Sequence, residues 1–152
     1  MEYKQIEMGS MKMVGVAVNT STQNAPQDCM PTWMEFMKRF AEVTNSVNPQ
    51  IMYGVSFVTN KENCTFRYLA GVEVSEFGEV KEGLEQVEVP ASIYLVFTHK
   101  GKLDTLGQTY GEIMYQVKSL GKEQKEFWIE YYDERYKNNS DDSEFDIWIA
   151  VE

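Results

Sequence analysis

Glu130 stands in a run of aromatic residues, Phe127-Trp128-Ile129-Glu130-Tyr131-Tyr132-Asp133. If the run is a β-strand, alternation puts Trp128, Glu130 and Tyr132 on one face and Phe127, Ile129 and Tyr131 on the other. An ionised carboxylate taken out of water needs a partner or must protonate. A carboxylate on an aromatic face therefore suits a cationic or polar ligand. The spacing alone leaves open a plainer alternative, an edge strand whose Glu130 points to water.

Other chemistry is sparse. Cys29 and Cys64 lie far apart, with no CxxC and no Cys/His cluster, so neither a metal site nor a cofactor is expected. Reduced thiols are the expectation, with a disulfide left open. The single histidine, His99, falls at a strand end, where a structural hydrogen bond is the expected role. No Ser-His-Asp arrangement is legible. With 24 acidic against 14 basic side chains the net charge of −10 repels a phosphate backbone, and no basic patch exceeds Lys38-Arg39. Direct nucleic-acid binding is thereby disfavoured. The acidic runs Glu79–Glu88 and Asp141–Glu144 read as solvated loops. No apolar run approaches the ~20 residues of a membrane span, and Met-Glu-Tyr-Lys-Gln-Ile is not a signal pattern, so a cytoplasmic protein without membrane association is expected.

The elements that would position Glu130 follow from periodicity. Met11–Val18 reads as a strand, Asn19–Asp28 as a loop, and Pro31–Thr44 as a helix opened by its proline, with Trp33, Phe36, Met37, Phe40 and Val43 on one stripe. Met34, Met37 and Met114 are expected in the core. Strands Ile51–Val58 and Thr65–Val74 flank a polar hairpin, with Tyr53, Val55 and Phe57 sharing one face of the first. Ser75–Glu88 reads as an acidic connection. Then come a strand at Ala91–Thr98, a helix at Asp104–Leu120 stopped by Gly121, and strands Glu126–Asp133 and Phe145–Val151.

Strand, helix, strand, strand thus occurs twice. A constant offset of 79 positions carries Tyr53 onto Tyr132, Asn60 onto Asn139, Phe66 onto Phe145 and Val72 onto Val151. Such a unit is too small to bury its own helix and sheet. The expected fold is α+β: tandem strand–helix–strand–strand units, about 1–78 and 88–152, related by a pseudo-twofold axis, with antiparallel sheets, helices on one side and a central groove. All 152 residues would form a single domain. The offset also predicts that Tyr53 and Tyr132 approach one groove from opposite halves.

Several motifs resemble the gyrase-inhibitor-like (GyrI-like) effector-binding domain. They are Met13-Val14-Gly15-Val16, Thr20-Ser21, Trp33-x-x-Phe36, Tyr53-Gly54, Tyr68-x-Ala70-Gly71-Val72-Glu73, Phe97-x-His99-x-Gly101, Thr109-Tyr110, Glu130-x-Tyr132-Asp133 and Asp146-Ile147-x-Ile149. Ala150 departs from the family, which usually has proline there. That module is fused to AraC-type and MerR-type regulators and also occurs alone. Here the two units use the whole chain, leaving no helix-turn-helix, so a standalone member is expected.

The resemblance implies binding of an amphipathic, often cationic, small molecule at a Glu among aromatic rings, and Glu130 matches that Glu. Tyr53, Tyr68, Tyr110 and Tyr132 fall in motif-matching positions. Trp128, Tyr94 and Trp148 are further aromatic candidates. Two alternatives accompany ligand binding: a small-molecule hydrolase using Glu130 as base or nucleophile, and a modulator contacting gyrase or another protein partner.

Overall fold

The computed structural model describes residues 1–152. Eight strands, β1 (Lys4–Met8), β2 (Met11–Ser21), β3 (Met52–Asn60), β4 (Thr65–Val74), β5 (Glu85–Val89), β6 (Ser92–Lys100), β7 (Gln124–Tyr132) and β8 (Glu144–Val151), accompany two helices, α1 (Ala25–Arg39) and α2 (Leu106–Ser119). All strand pairings are antiparallel, in one sheet of order β1-β6-β8-β7-β3-β4-β2-β5. The fold is α+β, as the element pattern implies. Exchanging β1–β4 for β5–β8 reverses the order onto itself, with the β3–β7 pair at the centre of symmetry.

Both helices lie on one face. α1 covers Phe66, Tyr68, Ala70 and Val72 of β4 through Cys29, Trp33, Phe36 and Phe40. Ile113 and Val117 of α2 cover Leu95 and Phe97 of β6 and the alternate residues Phe145, Ile147, Ile149 and Val151 of β8. The opposite face buries a further cluster that includes Met13, Tyr53, Val55, Leu69, Tyr94, Phe127, Ile129 and Trp148. No helix covers it. Its burial comes from the coiling of the sheet, which brings Ile6 and Met8 of β1 and Val87 and Val89 of β5 into the same cluster. Close packing of β2 on β4 needs the facing glycines Gly15 and Gly71, since a Cβ on Gly15 would sit 2.1 Å from the Ala70 carbonyl oxygen.

Several boundaries differ from the sequence expectation. α1 starts at Ala25 with Pro26 in its first turn, where a missing N–H is harmless, and it runs through Pro31 without breaking. Thr20 Oγ1 donates to Asp28 Oδ2 at 2.8 Å and ties the end of β2 to this early helix start. Met34 and Met37 are exposed on the outer side of α1, not in the core. Val43 lies beyond the helix, after a short 3-10 turn at Phe40–Glu42. The acidic connection contains β5, and β1 precedes β2.

The constant offset also fails at one place. β4 and β8 are joined to their partners by turns of different length, 61–64 against 133–143. An offset that matches β4 to β8 therefore slips out of register for β3 and β7. Across the central seam Tyr53 pairs with Tyr131, and Met52 pairs with Tyr132.

Candidate effector-binding site

Glu130 lies on β7 at the centre of the sheet, facing the helices, and is 7% exposed. Three phenols converge on it from three elements. Tyr68 on β4 donates to Oε1 at 3.0 Å, Tyr132 on β7 donates to Oε1 at 2.9 Å, and Tyr110 on α2 donates to Oε2 at 2.6 Å. Trp33 on α1 donates its indole N–H to the Tyr68 hydroxyl at 2.8 Å. The carboxylate is thus satisfied by neutral donors. None of the ion pairs of the molecule includes it.

Local sequence explains each placement. Alternation along β7 sends Trp128, Glu130 and Tyr132 to the helix side and Phe127, Ile129 and Tyr131 to the other. Gly54 sits opposite Glu130 on β3, and a Cβ there would lie 2.3 Å from the Tyr68 hydroxyl and 3.0 Å from Glu130 Oε1. Only the absent side chain leaves room for the Tyr68–Glu130 bond. His99 is buried at the end of β6, where Nε2–H donates to the Lys102 carbonyl at 2.9 Å and Nδ1 accepts from Thr109 at 2.7 Å. The carbonyl can only accept, which fixes the tautomer. His99 so anchors the first turn of α2, next to Tyr110.

Burial, reinforced by the negative charge of Glu130, pushes the hydroxyls of Tyr68, Tyr110 and Tyr132 well above the ordinary phenol range. They remain protonated donors at neutral pH. Burial together with the charges of Glu130 and Asp28 pushes the Cys29 thiol up to about 12, so it is no thiolate nucleophile. Both cysteines are free. The rings form a continuous wall: Trp33 meets Tyr132 edge-on at 5.4 Å, Tyr132 stacks on Phe145 at 4.6 Å, and Trp128 tilts against Phe66 at 5.2 Å.

Glu130, Tyr68, Tyr110, Tyr132 and Trp128 are therefore brought together on one face. Tyr53, Tyr94 and Trp148 are not. All three lie in the cluster on the opposite face, because the register of β3 against β7 and of β6 against β8 points them away from the helices. The expectation that Tyr53 and Tyr132 share a groove is thus overturned. Trp33, Gly54 and Cys29 belong to the site and were not predicted there. The first two stand in the motifs Trp33-x-x-Phe36 and Tyr53-Gly54, so the second motif contributes its glycine and not its tyrosine.

The symmetric antiparallel sheet with both helices on one face is the architecture of an effector-binding domain. The chain belongs to the integron-associated effector binding protein (Cass2) family, whose model matches residues 6–151. It is 32% identical to the transcriptional regulator BrlR of Pseudomonas aeruginosa over 155 residues, spanning 99% of this chain and 56% of that protein. The chain thus spans about half the length of this relative. Among solved structures it superposes on SAV2435 bound to tetraphenylphosphonium with a TM-score of 0.81 at 17% identity, covering 100% of this chain and 94% of the other. It also superposes on the Vibrio cholerae integron cassette protein VCH_CASS2 with a TM-score of 0.64 at 15% identity, covering 99% and 95%. These two likenesses establish the fold. No helix is long and apolar enough to cross a membrane.

Proposed function

We propose that the protein binds an amphipathic organic cation between α1 and α2, with Glu130 as counter-charge and Tyr68, Tyr110, Tyr132, Trp33 and Trp128 as aromatic walls. The carrying observation is a buried carboxylate held by three phenol donors and engaged in no ion pair. Neutral donors keep the carboxylate in place without cancelling its charge, so an incoming cation meets the full charge in a low-dielectric setting. Each aromatic face it contacts adds about 0.5–2 kcal/mol. SAV2435, which shares the fold, is bound to tetraphenylphosphonium, and this supports the ligand class.

Trp33 and Tyr132 meet edge to face and form part of that wall. Isothermal titration with tetraphenylphosphonium tests the reading, using tetraphenylborate as the same shape with opposite charge. The phosphonium is expected to bind and the borate not, and Glu130→Gln should weaken phosphonium binding at least about tenfold, roughly 1.4 kcal/mol. Equal affinity of wild type and Glu130→Gln removes Glu130 from the role of counter-ion.

A further inference from the structure

The two helices are counterparts, residue by residue. A shift of 77 positions carries Thr32, Trp33, Phe36 and Phe40 of α1 onto Thr109, Tyr110, Ile113 and Val117 of α2. Each threonine donates back to the carbonyl four residues earlier, Phe36 and Ile113 are fully buried against the sheet, and Trp33 and Tyr110 both reach the Glu130 cluster. The correspondence breaks on one flank. Where α1 carries Met30 and Met34, α2 carries Gly107 and Gly111. Met37 matches Met114 in type, but Met114 packs against the cluster under α2 whereas Met37 is exposed.

Helix geometry says where that flank looks. Measured from Phe36, which faces the sheet, Trp33 is turned about 60° to one side, with Met37 about 100°, Met30 about 120° and Met34 about 160° around to the same side. The opposite flank holds Asp28, which accepts from Thr20 of β2, and Arg39, which donates to the Glu82 carbonyl just before β5. That flank looks to the sheet edge. Trp33 points the other way, to Tyr132 on β7, so the methionines continue its flank upward on the side of α1 that borders the β3–β7 seam. Tyr110 puts the matching flank of α2 on the seam from the other half, while Gln116 on the far flank holds Met1 ahead of β1. The helices pack on separate clusters.

Met30, Met34 and Met37 are 58%, 59% and 53% exposed. One exposed apolar side chain is ordinary, but neighbouring ones on a single flank form a patch. Helix propensity does not ask for them, since Gln, Glu, Lys and Arg serve a helix about as well. Nor does the fold, because α2 keeps the same architecture with no side chain at two of the three positions, where a Cβ would meet nothing within 4 Å. Methionine is also the apolar side chain best able to reshape itself around varied partners, and its thioether makes favourable contacts with aromatic rings.

We propose that Met30, Met34 and Met37 form an adaptable outer wall of the effector site and hold the aryl arms of the bound cation, so that Glu130 reads the charge and this flank of α1 reads the apolar bulk. The inference rests on the reading of Glu130 as counter-charge. It is continuous with that site through Trp33, which lies between Met30 and Met37 on the helix and contacts both Tyr68 and Tyr132. The ligand class it selects is a cation shielded by aromatic groups.

The test measures tetraphenylphosphonium affinity by isothermal titration for wild type, a variant with Met30→Gln, Met34→Gln and Met37→Gln together, and a second with leucine at the same three positions. Tyr115→Gln, on the far side of α2 and 78% exposed, is the surface control. The glutamine variant should bind at least tenfold more weakly with an unchanged thermal melt, the leucine variant within threefold of wild type, and the control as wild type. Methyl-¹³C methionine spectra, assigned by single substitution, should show saturable shifts of the Met30 and Met37 signals and none for Met8 on the opposite face. The wall is overturned, with the counter-charge intact, if binding depends on Glu130 but the glutamine variant keeps full affinity, if it melts lower, if leucine restores nothing, or if those two signals stay still. Equal binding by wild type and Glu130→Gln, with the methionine effects present, removes the counter-charge and keeps the wall; absence of phosphonium binding to wild type overturns both.

Discussion

At the scale of single residues, the carboxylate of Glu130 and its phenol donors work as one unit. Removing one donor leaves a buried charged acceptor short of a partner, which typically costs about 1.5–3 kcal/mol. Tyr110→Phe deletes the 2.6 Å bond and should lower unfolding free energy by that amount in urea titrations. Gly54→Ala drives a methyl group into the Tyr68 hydroxyl and should cost about 1–3 kcal/mol. The same substitution in a Tyr68→Phe background should cost measurably less, since the clashing oxygen is gone; equal costs would show that the methyl is accommodated elsewhere.

Titration gives a further readout. Tyr68, Tyr110 and Tyr132 hold their protons well above the ordinary phenol range because burial opposes the phenolate. In the unfolded chain they ionise near pH 10. Above that pH the native state binds more protons than the unfolded one, so stability is whole below about pH 10 and falls as pH rises, by about 1.4 kcal/mol per pH unit for each proton retained. Tyrosinate absorbance should therefore appear with unfolding. Ionisation of all tyrosines in a chain that remains folded would contradict the burial of these hydroxyls.

At the scale of elements, α1 shows how far a pattern can be read. The buried stripe Trp33, Phe36 and Phe40 has helical spacing and is visible in sequence, but Met34 and Met37 are also apolar and blur its edges. Chemistry alone cannot separate them, because whether a methionine is covered depends on what packs across from it. Phe36→Ala should cost about 3–5 kcal/mol, whereas Met34→Gln and Met37→Gln should stay within about 0.5 kcal/mol of wild type; thermal melts read both. Strand β7 was legible because its aromatic residues alternate with period two. β1 and β5, five residues each, carry too few apolar positions for that signal and exist through pairing with β6 and β2, distant in sequence. Glu130 and Tyr132 were legible for the same reason, whereas Tyr68 on β4 and Tyr110 on α2 were reached only through the motifs that hold them. Tyr53, Tyr94 and Trp148 were misplaced because which face of a strand meets the helices is set by register across the sheet, and one long loop suffices to shift it.

At the scale of the molecule, the two short strands exchange sides. β1, from the first half, closes the edge of β6 in the second; β5, from the second half, closes the edge of β2 in the first. Each half thus lacks one strand that only the other supplies, and their seam is the β3–β7 pair, where Gly54 meets Glu130. The site spans that seam too, with Trp33, Gly54 and Tyr68 from the first half and Tyr110, Glu130 and Tyr132 from the second. Folding and site formation should therefore be one cooperative event. Expressed separately, fragments 1–78 and 79–152 should each lack a sigmoidal thermal transition, because each exposes an unpaired sheet edge and half of an aromatic cluster. Mixed in equal amounts they should recover a cooperative melt in circular dichroism, and with it the ability to bind tetraphenylphosphonium. A fragment that melts cooperatively alone would show that the exchanged strands are dispensable, and the dependence of the Glu130 site on both halves would then rest on side chains alone.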